Sequence, residues 1–216
     1  MRAKTTDLLR GFGCVPLTGA TLSGLLTAYA SPKDKVSYMV EQGDLVRLKR
    51  DLYCVATKIT GQRFLNELIA NHLYGPSYVS LETALAFYQL IPERMASTQS
   101  VVTKRAKLFQ TPLGRFSYQT VPDRYYSVGV RQEQAGSRYA FMIATPEKAL
   151  CDLLLLRSNL RITSEKAMRA FLEDHMRVDL SELKKPDLRV VDACLATHHK
   201  AAELRCLRKV LEHDCV

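Results

Sequence analysis

At 216 residues the chain has room for one large domain or two small ones. Its 47% hydrophobic content supports a buried core and excludes a disordered chain. The formal net charge is +9, with ten Lys/Arg against five Asp/Glu over residues 1–63 and twenty-one against seventeen over the remainder, so the basic surplus per residue is concentrated at the N-terminal end and favours a polyanionic partner.

Asp7 to Phe12 reads as a short amphipathic segment closed by Gly11 and Gly13, and Thr18 to Tyr29 as a helix with Leu22, Leu25 and Leu26 inward. After the brief Ala30-Ser31 break a third helix starts. Ser31 suits the N-cap, Pro32 the first helical position, and Asp34 closes a capping box three residues on. Val36, Met39 and Val40 form one buried stripe, which leaves Lys33, Lys35, Ser37, Tyr38 and Gln42 on or beside the opposite face. Gly43 supplies the left-handed residue that stops the helix. Leu45 to Leu48 and Leu52 to Val55 are strand signals joined by Lys49-Arg50-Asp51, where Asp tolerates the positive φ of a tight turn.

A capped helix feeding a basic hairpin is the order of a winged helix-turn-helix, expected over residues 1–57. Over Ser31 to Val55 five cations are nearly balanced by four acids, but Arg47, Lys49 and Arg50 crowd one turn that two strands hold against phosphates. The expected DNA-binding set is therefore Lys33, Lys35, Ser37, Tyr38, Gln42, Arg47, Lys49 and Arg50, with Arg2, Lys4 and Arg10 extending the phosphate contacts. Ala56 to Gln62, polar and breaker-containing, places the domain boundary, and a second domain is expected over residues 63–216.

In that second part Arg63 to Leu73 resumes a helix closed by Gly75-Pro76, Tyr78-Val79-Ser80 is a strand fragment, and Ser80 caps a helix to about Gln89. Val101 to Thr103, Phe116 to Val121, Tyr125 to Val130 and Tyr139 to Ala144 are β-branched and aromatic runs separated by turn residues, which predict an antiparallel sheet. Thr145 caps a helix with Pro146 first, apolar nearly all round, as a central core helix is. Beyond Arg161 the pattern is a helical tail: Ser164 to Met176, a short piece near Leu180 to Leu183, Leu188 to Ala196 and Ala201 to Leu211. The fold class expected is α+β.

Catalytic chemistry finds no support. Cys194, His198, His199 and Cys206 lie close in sequence, but four converging zinc ligands are required and the flanking pattern is helical core. Asp179, Glu182 and Lys184 have the letters of a nuclease site in the wrong element, Gly136-Ser137 lacks a downstream D-x-D, and neither a phosphate-binding loop nor a nucleophile beside a base is present. The six cysteines, at 14, 54, 151, 194, 206 and 215, form no C-x-x-C pair and read as reduced, buried hydrophobes. The start is not followed by a signal-peptide core, and no apolar run is long enough to span a bilayer, so a cytoplasmic protein without membrane contact, metal or cofactor is expected.

Three segments carry a resemblance. Tyr78 to Glu93 (YVSLETALAFYQLIPE), Thr111 to Tyr118 (TPLGRFSY) and Thr145 to Leu153 (TPEKALCDL) resemble the AbiEi antitoxin family in order and spacing, and the likeness covers roughly residues 15–157. It implies an N-terminal winged helix joined to a C-terminal antitoxin domain. It further implies repression of the protein's own toxin-antitoxin (abortive infection) operon, and counteraction of a nucleotidyltransferase-like toxin without a durable complex. A homodimer on operator DNA is compatible with it. Where the family's wing usually reads Arg-Gly, Arg50-Asp51 stands here, which adds an acid beside the turn and predicts weaker wing contacts. Glu82, Glu147, Lys148 and Asp152 read as helix capping and a solvated first turn rather than as direct antagonists of a toxin. The alternatives are a nucleic-acid-modifying enzyme with unrecognised catalytic groups and a protein-interaction module with a vestigial winged helix.

Overall fold

The structure is a computed structural model that describes residues 2–92, 95–136, 138–197 and 199–213, with side chains from Thr5 onward. It is a mixed α and β fold with two sheets. The N-terminal part runs α1 (Arg2–Arg10), β1 (Leu17–Thr18), α2 (Gly19–Leu25), α3 (Pro32–Glu41), β2 (Leu45–Lys49), β3 (Leu52–Val55) and α4 (Thr57–Thr60). Its three strands pair in the order β1-β3-β2, antiparallel throughout. Leu9, Leu22, Leu26, Val36, Met39, Leu45, Val55 and Ile59 close a small core between the three helices and one face of this sheet.

Local chemistry sets these elements. Thr18, extended at φ −76 and ψ 156, caps α2 by accepting from the Thr21 amide. Ser31 is also extended, at φ −129 and ψ 93, but its hydroxyl makes no cap bond, so the expected capping box is not built. Pro32 still begins α3. At the other end Gly43 takes φ 65, and Asp44 N–H reaches back to the Met39 carbonyl at 2.8 Å in a Schellman-type closure. Asp51 adopts the expected left-handed φ, 63. The stretch expected to be a linker instead contains α4, whose Ile59 is buried and whose Ile59 carbonyl accepts from Arg10 Nε at 3.2 Å.

The larger part comprises α5 (Asn66–Leu73), β4 (Tyr78–Val79), α6 (Leu81–Phe87), β5 (Ser97–Val102), β6 (Lys107–Thr111), β7 (Gly114–Thr120), α7 (Asp123–Tyr126), β8 (Val130–Ala135), β9 (Tyr139–Ala144), α8 (Pro146–Leu156), α9 (Glu165–Ala170) continued by a π-helical turn Phe171–His175, a 3-10 turn Leu180–Glu182, α10 (Leu188–Leu195) and α11 (Ala201–His213). Its sheet has six strands in the order β6-β7-β5-β4-β9-β8. It is mixed, not antiparallel as expected: β5 runs parallel to β7, and β4 parallel to β9. The expected strand over Tyr125 to Val130 is the short helix α7, because Pro122 and Asp123 start a helical turn, with Tyr125 and Tyr126 N–H both bonding the Pro122 carbonyl, and Gly129 at φ 61 ends it.

Around α8 pack α6, α10 and α11. The segment read as a helical tail is part of the main core, to which it contributes Met168, Leu172, Val191, Cys194, Leu204, Leu207 and Val210. Glu147, Lys148 and Asp152 do not form a solvated first turn. All three are buried, Lys148 and Asp152 completely. Lys148 Nζ donates to the Tyr125 carbonyl at 2.9 Å and lies 3.2 Å from Asp152 Oδ1, while Ser80 Oγ donates to Asp152 Oδ2 at 2.6 Å. Ser80, expected to cap α6 with its side chain, spends its hydroxyl on that carboxylate instead. Glu147 Oε1 accepts from the Asp187 amide, and Glu82 pairs with Arg157.

The two parts are not separate cores. Leu48, Leu52, Cys54 and Cys14 belong to the larger core, so the three-stranded sheet is covered on both faces. Among the described residues no helix is long and apolar enough to cross a membrane.

Candidate nucleic-acid interface

The face of α3 that carries Lys33, Val36 and Ser37 looks across a cleft at the β2–β3 hairpin. This cleft, of about 680 Å³, is lined by Gly19, Ala20 and Ser23 from the start of α2, by Lys33, Val36 and Ser37 from α3, and by Arg47, Arg50, Asp51 and Tyr53 from the hairpin. Four of the eight residues expected from sequence thus converge: Lys33, Ser37, Arg47 and Arg50. Three of them are cations, and Asp51 is the single acid on the wall. Arg47 Nε donates to the Lys49 carbonyl at 3.4 Å, which folds the guanidinium along the turn. Ser37 Oγ donates to the Lys33 carbonyl at 3.3 Å.

Lys35, Tyr38 and Gln42 lie outside this cleft. Tyr38 is exposed, and the Lys35 ammonium sits 4.7 Å from the Tyr38 ring centre and 5.0 Å from that of Tyr29, so a cation–π sandwich holds Lys35 against the helix. Gln42 is exposed at the far end of α3, where its carbonyl accepts from Lys58 Nζ; the same ammonium pairs with Asp44 at 2.9 Å. Arg10 pairs with Asp7 and bonds Ile59, away from the cleft lining, and the side chains of Arg2 and Lys4 lie outside the described residues.

Lys49 goes elsewhere, and the cause is a bulge. Arg47 stands opposite Tyr53 and Lys49 opposite Leu52, so Leu48 is an extra residue that shifts the phase of the strand. Cross-strand partners share a face. Arg47 therefore follows Tyr53 toward the cleft, whereas Lys49 follows Leu52 to the opposite face, donates to the Leu73 carbonyl and lies 5.8 Å from the Phe109 ring centre. Burial, then the charges of Lys107 and Lys104, push its pKa down. Sequence reasoning missed Ala20 and Ser23, whose only signal is their place in the first turns of the helix after the Thr18 cap.

Among the described residues no three His, Cys, Asp or Glu side chains are grouped to hold an ion, and His198 of the candidate zinc set lies outside them. Cys14, Cys54, Cys151, Cys194 and Cys206 are free and buried, and Cys215 lies outside the described residues. Burial drives the Cys54 thiol up to about 12. Compared with known proteins, the chain matches no family model and no curated sequence.

Proposed function

We propose that residues 1–57 form a winged helix-turn-helix that binds operator DNA, with α3 as recognition helix and the β2–β3 hairpin as wing, and that residues 63–216 form an α+β antitoxin domain. In this reading the protein is a cytoplasmic, non-enzymatic repressor of its own toxin-antitoxin operon that counters a nucleotidyltransferase-like toxin without a stable complex. The antitoxin half of the reading rests on the family resemblance of the three segments alone. The DNA-binding half rests on one observation: Lys33 and Ser37 from the helix, and Arg47 and Arg50 from the hairpin, meet on one cleft.

The division of labour follows from contact chemistry. Arg47 and Arg50 meet phosphates, which carry affinity and register but no sequence information. Lys33, in the first turn of α3, and Ser37, one turn further on, reach base edges, where sequence is read. Lys49 takes no part in either.

The salt dependence of binding tests this. If Arg47 and Arg50 each displace one counterion, Arg47→Ala with Arg50→Ala flattens the slope of log K against log salt by about 2. Lys49→Ala leaves that slope at its wild-type value. An unchanged slope in the double variant removes the hairpin from the interface, and a lowered slope in the Lys49 variant shows that the bulge does not turn this residue away.

A further inference from the structure

The six-stranded sheet has two edges, and they differ. At β6 the edge begins at Lys107, is followed by Pro112 and lies against β2. The other edge, β8, carries the sequence Val130-Arg131-Gln132-Glu133-Gln134-Ala135 and pairs with β9 alone. It contains no proline, no lysine and no glycine, and its six-residue register with β9 runs without a bulge. Proline, lysine and a bulge are devices by which a sheet protects an edge, and β8 uses none of the three; its two charges, Arg131 and Glu133, are of opposite sign and so do not repel a second strand of the same sequence.

We infer that β8 pairs antiparallel with β8 of a second copy of this chain, joining two sheets across a two-fold axis. The strand's charges select that occupant. A two-fold centred on Gln132 sets Arg131 of each copy opposite Glu133 of the other, and Val130 opposite Gln134. Opposite charges facing each other across strands stabilise the pairing, whereas like charges there oppose it.

Both charges are already held in place. Arg131 Nη2 pairs with Glu133 Oε1 at 2.5 Å, Arg131 Nε donates to the Tyr88 hydroxyl at 3.2 Å, and the guanidinium lies 4.9 Å from the Tyr88 ring centre. Tyr88 in turn donates to Glu133 at 3.4 Å. Less side-chain freedom is therefore lost when the second strand arrives. The two pairs then merge into a ring of four alternating charges, and the arrangement is isologous, as a closed two-fold dimer requires. The inference goes beyond the DNA-binding reading and stands without it.

The test uses the full chain in the absence of nucleic acid. In sedimentation equilibrium the wild-type mass rises from monomer to dimer with concentration. Arg131→Glu and Glu133→Arg each stay monomeric, because every cross-strand pair is then like-charged. Their equimolar mixture regains the dimer, because an all-acidic strand meets an all-basic one. A role for Arg131 and Glu133 confined to their own chain gives no such rescue. As a measurement free of variants, amide exchange over residues 131–135 of the wild type slows as the dimer forms. A wild type monomeric at every concentration, single variants that dimerise like it, a mixture that stays monomeric, or exchange that ignores concentration each overturns the inference.

Discussion

Replacing Asp152 by Ala strips the most deeply buried ammonium in the protein of its counter-charge. Lys148 and Asp152 are both fully buried one helical turn apart on α8, and the carboxylate is also the acceptor for Ser80, next to which Leu81 holds φ 57. A bulky residue in that region costs on the order of 1–3 kcal/mol and persists only where its surroundings fix it. Breaking a buried pair by removing one partner costs about 3–5 kcal/mol, because the remaining charge can be neither solvated nor paired. Lys148 keeps one aligned acceptor, the Tyr125 carbonyl, while Asp152 Oδ1 makes no aligned hydrogen bond, so the lower half of that range applies. For a chain of this size the loss lowers Tm by roughly 6–16 °C at about 2–4 °C per kcal/mol. The partner experiment is Lys148→Met with Asp152→Leu, which removes both charges together and takes the acceptor from the Ser80 hydroxyl, at about 1–3 kcal/mol. Denaturant titration followed by circular dichroism ranks the variants: wild type, then the double, then Asp152→Ala. A single variant that loses under about 1 kcal/mol, or a double variant worse than the single, refutes the buried-pair argument.

Two further outcomes follow from the same packing. Cys54 has its pKa raised from 9.0 to about 12 by burial, so above pH 9 the unfolded chain releases this proton while the folded chain retains it; stability is full below pH 9 and falls between 9 and 12, and Cys54→Ala reduces the steepness of that alkaline loss in pH-dependent denaturation. Cutting the chain between residues 57 and 63 exposes Leu48, Leu52 and Cys54, which belong to the larger core, so the isolated N-terminal piece is expected to aggregate or melt below the whole protein in calorimetry; a piece that melts at the whole chain's temperature contradicts the shared core.

The legible parts of the sequence were those fixed by local chemistry. The Pro32 and Gly43 punctuation of α3, the Asp51 turn and the Thr145 cap of α8 each depend on a few neighbouring residues, and each is found. What local reasoning misplaced depends on distant partners. Nothing near Glu147, Lys148 or Asp152 announces that α6, α7 and α10 cover them, and the two-residue strand β1 exists only because β3 pairs with it. β6 was missed because Lys107-Leu108-Phe109-Gln110-Thr111 has a single β-branched residue, while the ladder with β7 makes a strand of that segment. Half of the candidate interface was legible for a related reason. Of the five helix residues only Lys33 and Ser37 reach the cleft, because helical spacing alone does not say which part of the exposed face the hairpin covers; of the three hairpin residues only Lys49 is turned away, by one extra residue in the strand.

That extra residue, Leu48, ties the hairpin to the rest of the molecule. Without the bulge, alternation puts Lys49 beside Arg47 on the cleft, while Leu48, one residue on from Arg47, faces the larger core in either case. With it, Lys49 joins Leu48 on that face and crosses to the Leu73 carbonyl at the end of α5. One potential phosphate contact is given up, and one further tertiary contact holds the turn. The positions of Arg47 and Arg50 relative to α3 are then set from both sides of the sheet: by the small core through Leu45 and Val55, and by the larger core through Leu48, Leu52 and Cys54. If the proposed DNA binding holds, a cleft fixed in this way has little ordering left to do on meeting a duplex, which lowers the entropic cost of each contact. It also makes the larger part of the chain a structural determinant of the interface whether or not any of its own side chains touches nucleic acid.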